Sequence, residues 1–290
     1  MRSLKQNILA GLLSGLSLVA ATAVAAEEKI KIVASFSILG DMVEQVIGEH
    51  ASVTTIVGPD ADAHIYQPSL ADARSVADAD VIFVNGLGFE TWSDTLIAES
   101  GTKATVHIAT DGITPVLVDA EVDPHAWNSL LNGVVYVTNI ADVLKQKLPE
   151  HANDIDANTS AYIAKLNALD AETKAALAEL GDDKRTVVTA HDAFGYLADA
   201  YGMNFLAPGG IDSEAEPSAQ ELAQLKQDGA AALFVENIAS PALVQQISDE
   251  TGLEIGGRLF SDALSERDGP ATSYLAMFEH NLGTLLEALK

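Results

Sequence analysis

The chain contains no cysteine and little positive charge. Its 290 residues include 16 lysines and arginines against 42 aspartates and glutamates, a formal charge of −26. The absence of cysteine excludes disulfide bonds, thiolate metal ligands and a lipid-bearing cysteine. The acidic balance argues against nucleic acid as a partner, because polyanions repel an acidic protein, whereas a cation is compatible with it. The acidity is equally consistent with a role in solubility alone.

Long apolar segments are also missing, except near the amino terminus. Arg2 and Lys5 precede an apolar stretch at 8–20, and the small residues 23–26 follow it. This order is typical of a secretory signal peptide, and the apolar core is too short to span a bilayer stably. We therefore predict a signal peptide at 1–25 and a mature protein that is periplasmic and soluble, without membrane insertion. A buried or amphipathic amino-terminal helix is the alternative.

Strand and helix patterns alternate through the first half of the chain. Short apolar runs rich in β-branched residues predict strands, and apolar residues at helical spacing predict helices between them. The predicted strands are 29–36, 53–57 and 81–86, and the predicted helices are 38–46 and 69–77. Repeated β-then-α order predicts parallel sheets.

One long helix is predicted in the middle of the chain. The stretch 152–180 has no glycine or proline, and its apolar residues recur at helical intervals up to Gly181. The β/α alternation then restarts and continues to a terminal helix at 273–290. We predict an α/β fold of two similar lobes with parallel sheets flanked by helices, joined by one long rigid linker helix. The predicted boundaries are 26–150 for the first lobe, 151–181 for the linker and 182–290 for the second lobe.

Three of the seven histidines lie in predicted loops after or between strands. His64, His125 and His191 each stand beside turn-forming or small residues. In α/β sheets such loops collect ligands, and imidazoles with one carboxylate suit zinc. Spacing alone is weak evidence, because these histidines lie 60 to 70 residues apart and no local metal motif joins them.

The sequence around these histidines carries a more specific signal. The segments 61–68 (ADAHIYQP), 123–127 (DPHAW), 191–196 (HDAFGY) and 259–264 (LFSDAL) resemble the solute-receptor family of zinc and manganese ABC importers. The similarity extends to 33–36 (VASF), 85–90 (NGLGFE), 216–218 (EPS) and 234–237 (FVEN). It therefore covers almost the whole predicted mature chain, in order.

The resemblance implies a fold, a site and a function. It implies two α/β lobes bridged by a rigid helix, with one metal ion between them bound by His64, His125, His191 and Asp262. It also implies a receptor rather than an enzyme, a monomer that passes its metal to the membrane permease subunits of an ABC importer. Three nitrogen ligands and one carboxylate favour Zn²⁺ over Mn²⁺, because manganese carriers often have a carboxylate in place of His191.

The chain departs from the family pattern in three places. Ala63 replaces the usual proline before the first histidine, and Asn128-Ser129-Leu130 replaces the usual x-Asp-Pro after Trp127. The loop 111–123 is short and has no histidine, whereas zinc receptors often have a histidine-rich loop there. Metal could therefore arrive directly or from a periplasmic metal donor protein.

Other functions are compatible with the same residues. A secreted zinc-dependent hydrolase could use the same ligands, although no protease motif supplies a general base. A manganese-preferring receptor of the same family and a receptor for an organic solute are further alternatives. Glu236, at the end of a predicted strand, has two interpretations, a residue near the metal and an ordinary surface acid, of which we expect the second. Asp192 is expected to orient an imidazole or to cap the following helix. The aromatic residues Trp127, Phe194 and Tyr196 are expected to pack, and the remaining histidines to lie on the surface without matching partners: His50, His107, His151 and His280.

Overall fold

The computed structural model describes residues 29–118, 120–211, 213, 215, 217–225 and 227–290. The predicted signal peptide and Glu216 lie outside the described residues. Within the described ranges, helices of sufficient length and apolarity to cross a bilayer do not occur.

The first half of the chain forms a four-stranded parallel sheet. Its strands are β1 (Ile30–Phe36), β2 (Ala51–Val57), β3 (Val81–Val84) and β4 (Thr105–Ile108), in the order β2-β1-β3-β4. The helices are α1 (Ser37–Ile47), α2 (Leu70–Ala77), α3 (Ser93–Ser100) and α4 (Leu130–Lys147). Every residue of β3 is buried, as expected of an inner strand covered on both faces. A small antiparallel hairpin, β5 (Leu117–Val118) and β6 (Glu121–Val122), precedes α4.

The second half repeats this architecture. Its strands are β7 (Thr186–Val188), β8 (Asn204–Leu206), β9 (Leu233–Glu236) and β10 (Ile255–Leu259), parallel and in the order β10-β9-β7-β8. The helices are α6 (Gly195–Tyr201), α7 (Ala219–Leu225), α8 (Pro241–Thr251) and α9 (Tyr274–Leu289). The predicted α/β class with two parallel sheets is confirmed.

In sequence, the long helix α5 (Ala152–Ala178) follows the first sheet and precedes the second. It packs against α1 and α4 of the first half and against α6 and α9 of the second half. Its buried residues recur every three or four positions, which defines one apolar face: Ile155, Thr159, Tyr162, Leu166, Leu169, Asp170, Thr173 and Leu177. The predicted linker helix is therefore present, and the exact lobe boundaries remain a prediction.

The two halves share one hydrophobic core. The main cluster runs from Phe36 on β1 to Leu259 on β10 and Tyr274 on α9, and a smaller cluster lies within the second half. Hydrogen bonds cross the same boundary, because Trp127 Nε1 donates to the Ser261 carbonyl at 2.7 Å and Tyr274 Oη donates to the Trp127 carbonyl at 2.5 Å. A shared core restricts how far the halves can separate.

A glycine on α4 provides a test of this packing. A Cβ atom added at Gly133 would lie 2.7 Å from the buried Tyr274 hydroxyl, whereas one added at Gly283 on α9 would have no neighbour within 4 Å. We expect Gly133→Ala to lower the free energy of unfolding relative to Gly283→Ala by on the order of 1–3 kcal/mol, because overpacking opposes the gain in helix propensity that both substitutions share. Urea denaturation measures the difference. Equal stability of the two variants would contradict tight packing between α4 and α9.

Candidate metal centre

The four side chains proposed from the sequence as metal ligands lie together in the structure. His64 lies in the loop after β2, and His125 lies between the β5-β6 hairpin and α4. His191 follows β7 and Asp262 follows β10, both at the carboxyl ends of the second sheet. Two loops from each half of the chain therefore supply one cluster, as ligand sites in α/β proteins commonly do.

The distances between these side chains suit a single metal ion. His64 Nε2 lies 3.0 Å from His125 Nε2 and 3.2 Å from Asp262 Oδ2, and His191 Nε2 also lies 3.2 Å from Asp262 Oδ2. One donor atom from each of the four residues lies within 4.8 Å of all the others. Four ligands bonded to zinc at about 2.05 Å in a tetrahedron are separated by about 3.3 Å. The cluster therefore has the dimensions of a tetrahedral site.

Carboxylates hold two of the imidazoles in place. Asp123 Oδ1 accepts hydrogen bonds from the His125 backbone N–H at 2.9 Å and from His125 Nδ1 at 2.7 Å. Glu236 Oε2 lies 2.6 Å from His191 Nδ1. Because each Nδ1 faces a carboxylate, each Nε2 presents its lone pair to the cluster. In metal sites, a carboxylate that orients an imidazole in this way also increases the basicity of the imidazole.

The expectation that Glu236 is a surface acid was wrong. Its side chain is buried, and Oε1 accepts hydrogen bonds from the backbone N–H groups of Ala190 and His191 at 2.9 and 3.0 Å. Glu236 ends β9, which lies directly beside β7 in the sheet. The sequence alone did not reveal this neighbourhood, because the strand order of the second sheet could not be inferred from it.

A repeated Asp-x-His pattern positions the two histidines of the first half. Asp62 accepts the His64 backbone N–H at 2.8 Å, as Asp123 does for His125. Between Asp62 and His64, the Ala63 carbonyl accepts a hydrogen bond from Trp92 Nε1 at 2.8 Å. This bond helps to hold the loop after β2 in place without the proline usual in the family. The Asp-x-His repeat was visible in the sequence and could have identified Asp123 as a positioning residue.

Access to the cluster is on the His64 side. The His64 side chain is 14% exposed, whereas His125, His191 and Asp262 are at most 2% exposed. Phe89 is buried and packs its ring edge against His64 at 4.8 Å between ring centroids. The sequence did not predict Phe89 as a wall of the site, although Phe89 lies in the segment 85–90 that resembles the family.

The buried Asp262 carboxylate has no hydrogen-bond donor of good geometry for either oxygen, and His191 Nε2 also has no hydrogen-bond partner. Burial alone would raise the pKa of Asp262, but the imidazoles of His125 and His191 hold it well below its usual range. Burial alone would lower the pKa of His191, but Glu236 and Asp262 raise it well above its usual range. The cluster therefore favours an ionised carboxylate balanced by positive charge.

The remaining predicted neighbours have structural roles. Trp127 packs edge-on against His125 at 5.4 Å, and Phe194 stacks on Phe205 at 4.8 Å. Tyr196 Oη donates to the Asp123 carbonyl at 3.0 Å. Asp192 does not cap α6, which begins at Gly195 with Phe194 as its cap residue. Burial raises the pKa of Asp192 to about 6.

The other four histidines lie outside this cluster. His107 contacts Thr105 and His280 contacts the Arg258 carbonyl, both near the surface. The expectation that none has a matching partner was wrong for His50 and His151, whose rings stack on each other at 3.9 Å.

The fold and the site together define a two-lobed metal-binding solute receptor. The chain belongs to the family described as "Zinc-uptake complex component A periplasmic", whose model matches residues 32–288. Members of this family are the metal-binding receptors of ABC importers, which work with membrane permease and ATPase subunits, and they are not enzymes. The hydrolase alternative is thereby set aside.

Similar proteins are named for different metals. The manganese-binding lipoprotein MntA of Halalkalibacterium halodurans is 32% identical over 90% of this chain and 89% of its own length. The iron ABC transporter substrate-binding lipoprotein MtsA of Streptococcus pyogenes is 32% identical over 92% of this chain and 91% of its own. The structure of the periplasmic zinc-binding protein TroA from Treponema pallidum superposes with a TM-score of 0.85, at 28% identity over 90% and 99% of the two chains.

The charge on Glu236 should control the protonation of His191. We expect Glu236→Gln to lower the pKa of the His191 imidazole in metal-free protein, because one of the two carboxylates that raise it is neutralised. Histidine-selective NMR across a pH titration measures this pKa. A raised folded-state pKa stabilises the fold below the unfolded pKa near 6.5 and loses that contribution as pH rises through the folded value. The free energy of unfolding of the variant should therefore fall furthest below that of the wild type at low pH.

Glu254→Gln is the matched control, because Glu254 is an exposed acid on the second half of the chain. It should leave the His191 titration unchanged. An unaltered His191 pKa in Glu236→Gln would show that the two side chains do not interact as described.

Proposed function

We propose that this chain captures Zn²⁺ between its two lobes through His64, His125, His191 and Asp262, and delivers it to an ABC importer. The observation that carries the proposal is the convergence of three imidazole nitrogens and one carboxylate, from both halves of the chain, within 4.8 Å. A buried carboxylate without hydrogen-bond donors beside imidazole lone pairs is stabilised by a cation at that position.

The chemistry of the donor set supports zinc. Three nitrogens and one oxygen suit Zn²⁺, whereas Mn²⁺ prefers shells rich in oxygen. Two other buried carboxylates nearby, Asp123 and Glu236, face the Nδ1 atoms of His125 and His191 rather than the Nε2 atoms. Among the described residues in this cluster, Asp262 is the carboxylate whose oxygens lie beside the three Nε2 atoms. A manganese-preferring receptor remains the competing assignment, since relatives are named for manganese and iron.

Delivery requires export and partners. We propose that residues 1–25 direct the chain to the periplasm, where it acts as a monomer on the permease subunits of the importer. The segment 111–123 is without histidine and forms the β5-β6 hairpin, so a histidine-rich capture loop is not present there. Metal would enter directly at the His64 side or come from a periplasmic donor protein.

Release would involve small movements rather than wide separation of the lobes. Trp127, Ser261 and Tyr274 join the halves beside the site, and α5 packs on both halves. His64 is the most exposed ligand, and it lies in the loop after β2. We propose that the importer senses the position of this loop.

Metal content of substituted proteins tests the proposal. Tag-free protein is stripped of metal, exposed to equimolar Zn²⁺ and Mn²⁺, dialysed and analysed for bound elements. We expect about one tightly bound Zn²⁺ in the wild type. The affinity for Zn²⁺ should fall at least 10- to 100-fold in four variants: His64→Ala, His125→Ala, His191→Ala and Asp262→Asn. The reason is that removal of a residue that only supports a metal ligand already lowers metal affinity by this factor.

His107→Ala is the control, because His107 lies outside the cluster, and it should retain the wild-type content. Circular dichroism checks that each variant is folded, and Asp262→Asn preserves the shape of the buried side chain. Full zinc retention by His191→Ala would refute the ligand set. Preferential retention of manganese by the wild type would assign the receptor to that metal instead.

A further inference from the structure

A second group of potential metal ligands lies on the surface. His50 Nε2 is 3.2 Å from Asp154 Oδ2, and the rings of His50 and His151 are stacked with their centroids 3.9 Å apart. One donor atom from each of the three residues lies within 4.8 Å of the other two. Among the described residues this is the one such group besides the interlobe cluster.

The fold brings these residues together through two helix ends. His50 closes a 3-10 turn after α1, where Gly48 has a positive φ of 57°, a value that glycine adopts readily, and this lets the chain turn. His151 and Asp154 lie three residues apart at the start of α5 and so share a helical face. Asn158 Nδ2 donates to the Val46 carbonyl at 3.2 Å, which ties the end of α1 to the first turns of α5.

The donor set has a definite metal preference. Two imidazoles and one carboxylate suit Zn²⁺, Cu²⁺ or Ni²⁺ better than Mn²⁺ or Ca²⁺. The Asp154 side chain is 65% exposed and that of His50 is 26% exposed, so both can rotate until their lone pairs converge. Water can then complete the coordination shell from the solvent side.

The charges around the cluster do not oppose a cation. Glu49 and Glu150 line the same surface depression as His50 and His151, together with Lys29 and Lys147. The two acids offset the two lysines, and Asp154 adds one further negative charge beside the imidazoles. A divalent ion therefore meets a slightly negative environment.

This cluster is remote from the interlobe centre. His50 precedes the first residue of β2, at the amino ends of the first sheet, whereas His64 follows the carboxyl end of the same strand. A seven-residue strand is about 23 Å long at roughly 3.3 Å per residue. The two clusters therefore lie at opposite ends of the sheet and share no side chain.

We propose that His50, His151 and Asp154 form a separate surface site that binds a second divalent transition-metal ion, more weakly than the interlobe centre does. The affinity is lower because only three protein ligands contribute and the site is open to water. This site depends neither on the zinc assignment nor on the ligand set of the interlobe centre.

Calorimetric titration of tag-free, metal-free protein with Zn²⁺ tests the proposal. The wild type should bind two equivalents in a strong and a weak step. We expect His50→Ala, His151→Ala and Asp154→Asn each to weaken the second step more than about tenfold and to leave the first unchanged, since loss of a ligand costs at least as much as loss of its supporting partner. His107→Ala is the matched control and should keep both steps.

Histidine-selective NMR identifies the ligands directly. The second equivalent should shift the imidazole signals of His50 and His151 and leave those of His107 and His280 in place. His191→Ala should lose the strong step and retain the weak one, which separates failure of this site from failure of the interlobe centre. A single step up to millimolar Zn²⁺, or a weak step that persists unchanged in folded His50→Ala and Asp154→Asn, would overturn the proposal.

Discussion

The buried Asp262 carboxylate is the group on which the interlobe centre depends. It lies among three imidazoles, and neither of its oxygens has a hydrogen-bond donor of good geometry. A charge held in this way needs a cation, and His191 can supply one in metal-free protein because its pKa is raised by Glu236 and Asp262. Metal binding would then exchange a proton for a divalent ion at the same place. Protonation and metal binding are therefore competing ways to balance one charge.

The two halves that supply these charged side chains share one hydrophobic core. Candidate ligands from both halves meet beside Trp127 and Tyr274, which join the halves through buried hydrogen bonds. Asn128 Nδ2 donates to the Ala193 carbonyl across the same boundary at 2.8 Å. The two halves are therefore joined by buried hydrogen bonds next to the candidate ligands.

Periodicity was sufficient to predict the α/β class, the long helix α5 and most strands, because buried parallel strands and amphipathic helices have distinct apolar patterns. It did not assign α4, whose start at Leu130 has no side-chain capping hydrogen bond and no acidic residue in the first turn. Local motifs identified His64, His125, His191 and Asp262, but not Glu236, whose role depends on β9 lying beside β7. The pairing of His50 with His151 was missed for the same reason, since it depends on how α1 packs against α5.

X-ray absorption at the zinc edge, on protein loaded with one equivalent of Zn²⁺, tests the central claim most directly. A tetrahedral centre with three imidazoles and one carboxylate should give about four nitrogen and oxygen neighbours at roughly 2.0–2.1 Å, with outer-shell scattering from three imidazole rings. An oxygen-rich shell of six neighbours, or scattering from fewer than two imidazoles, would contradict the account.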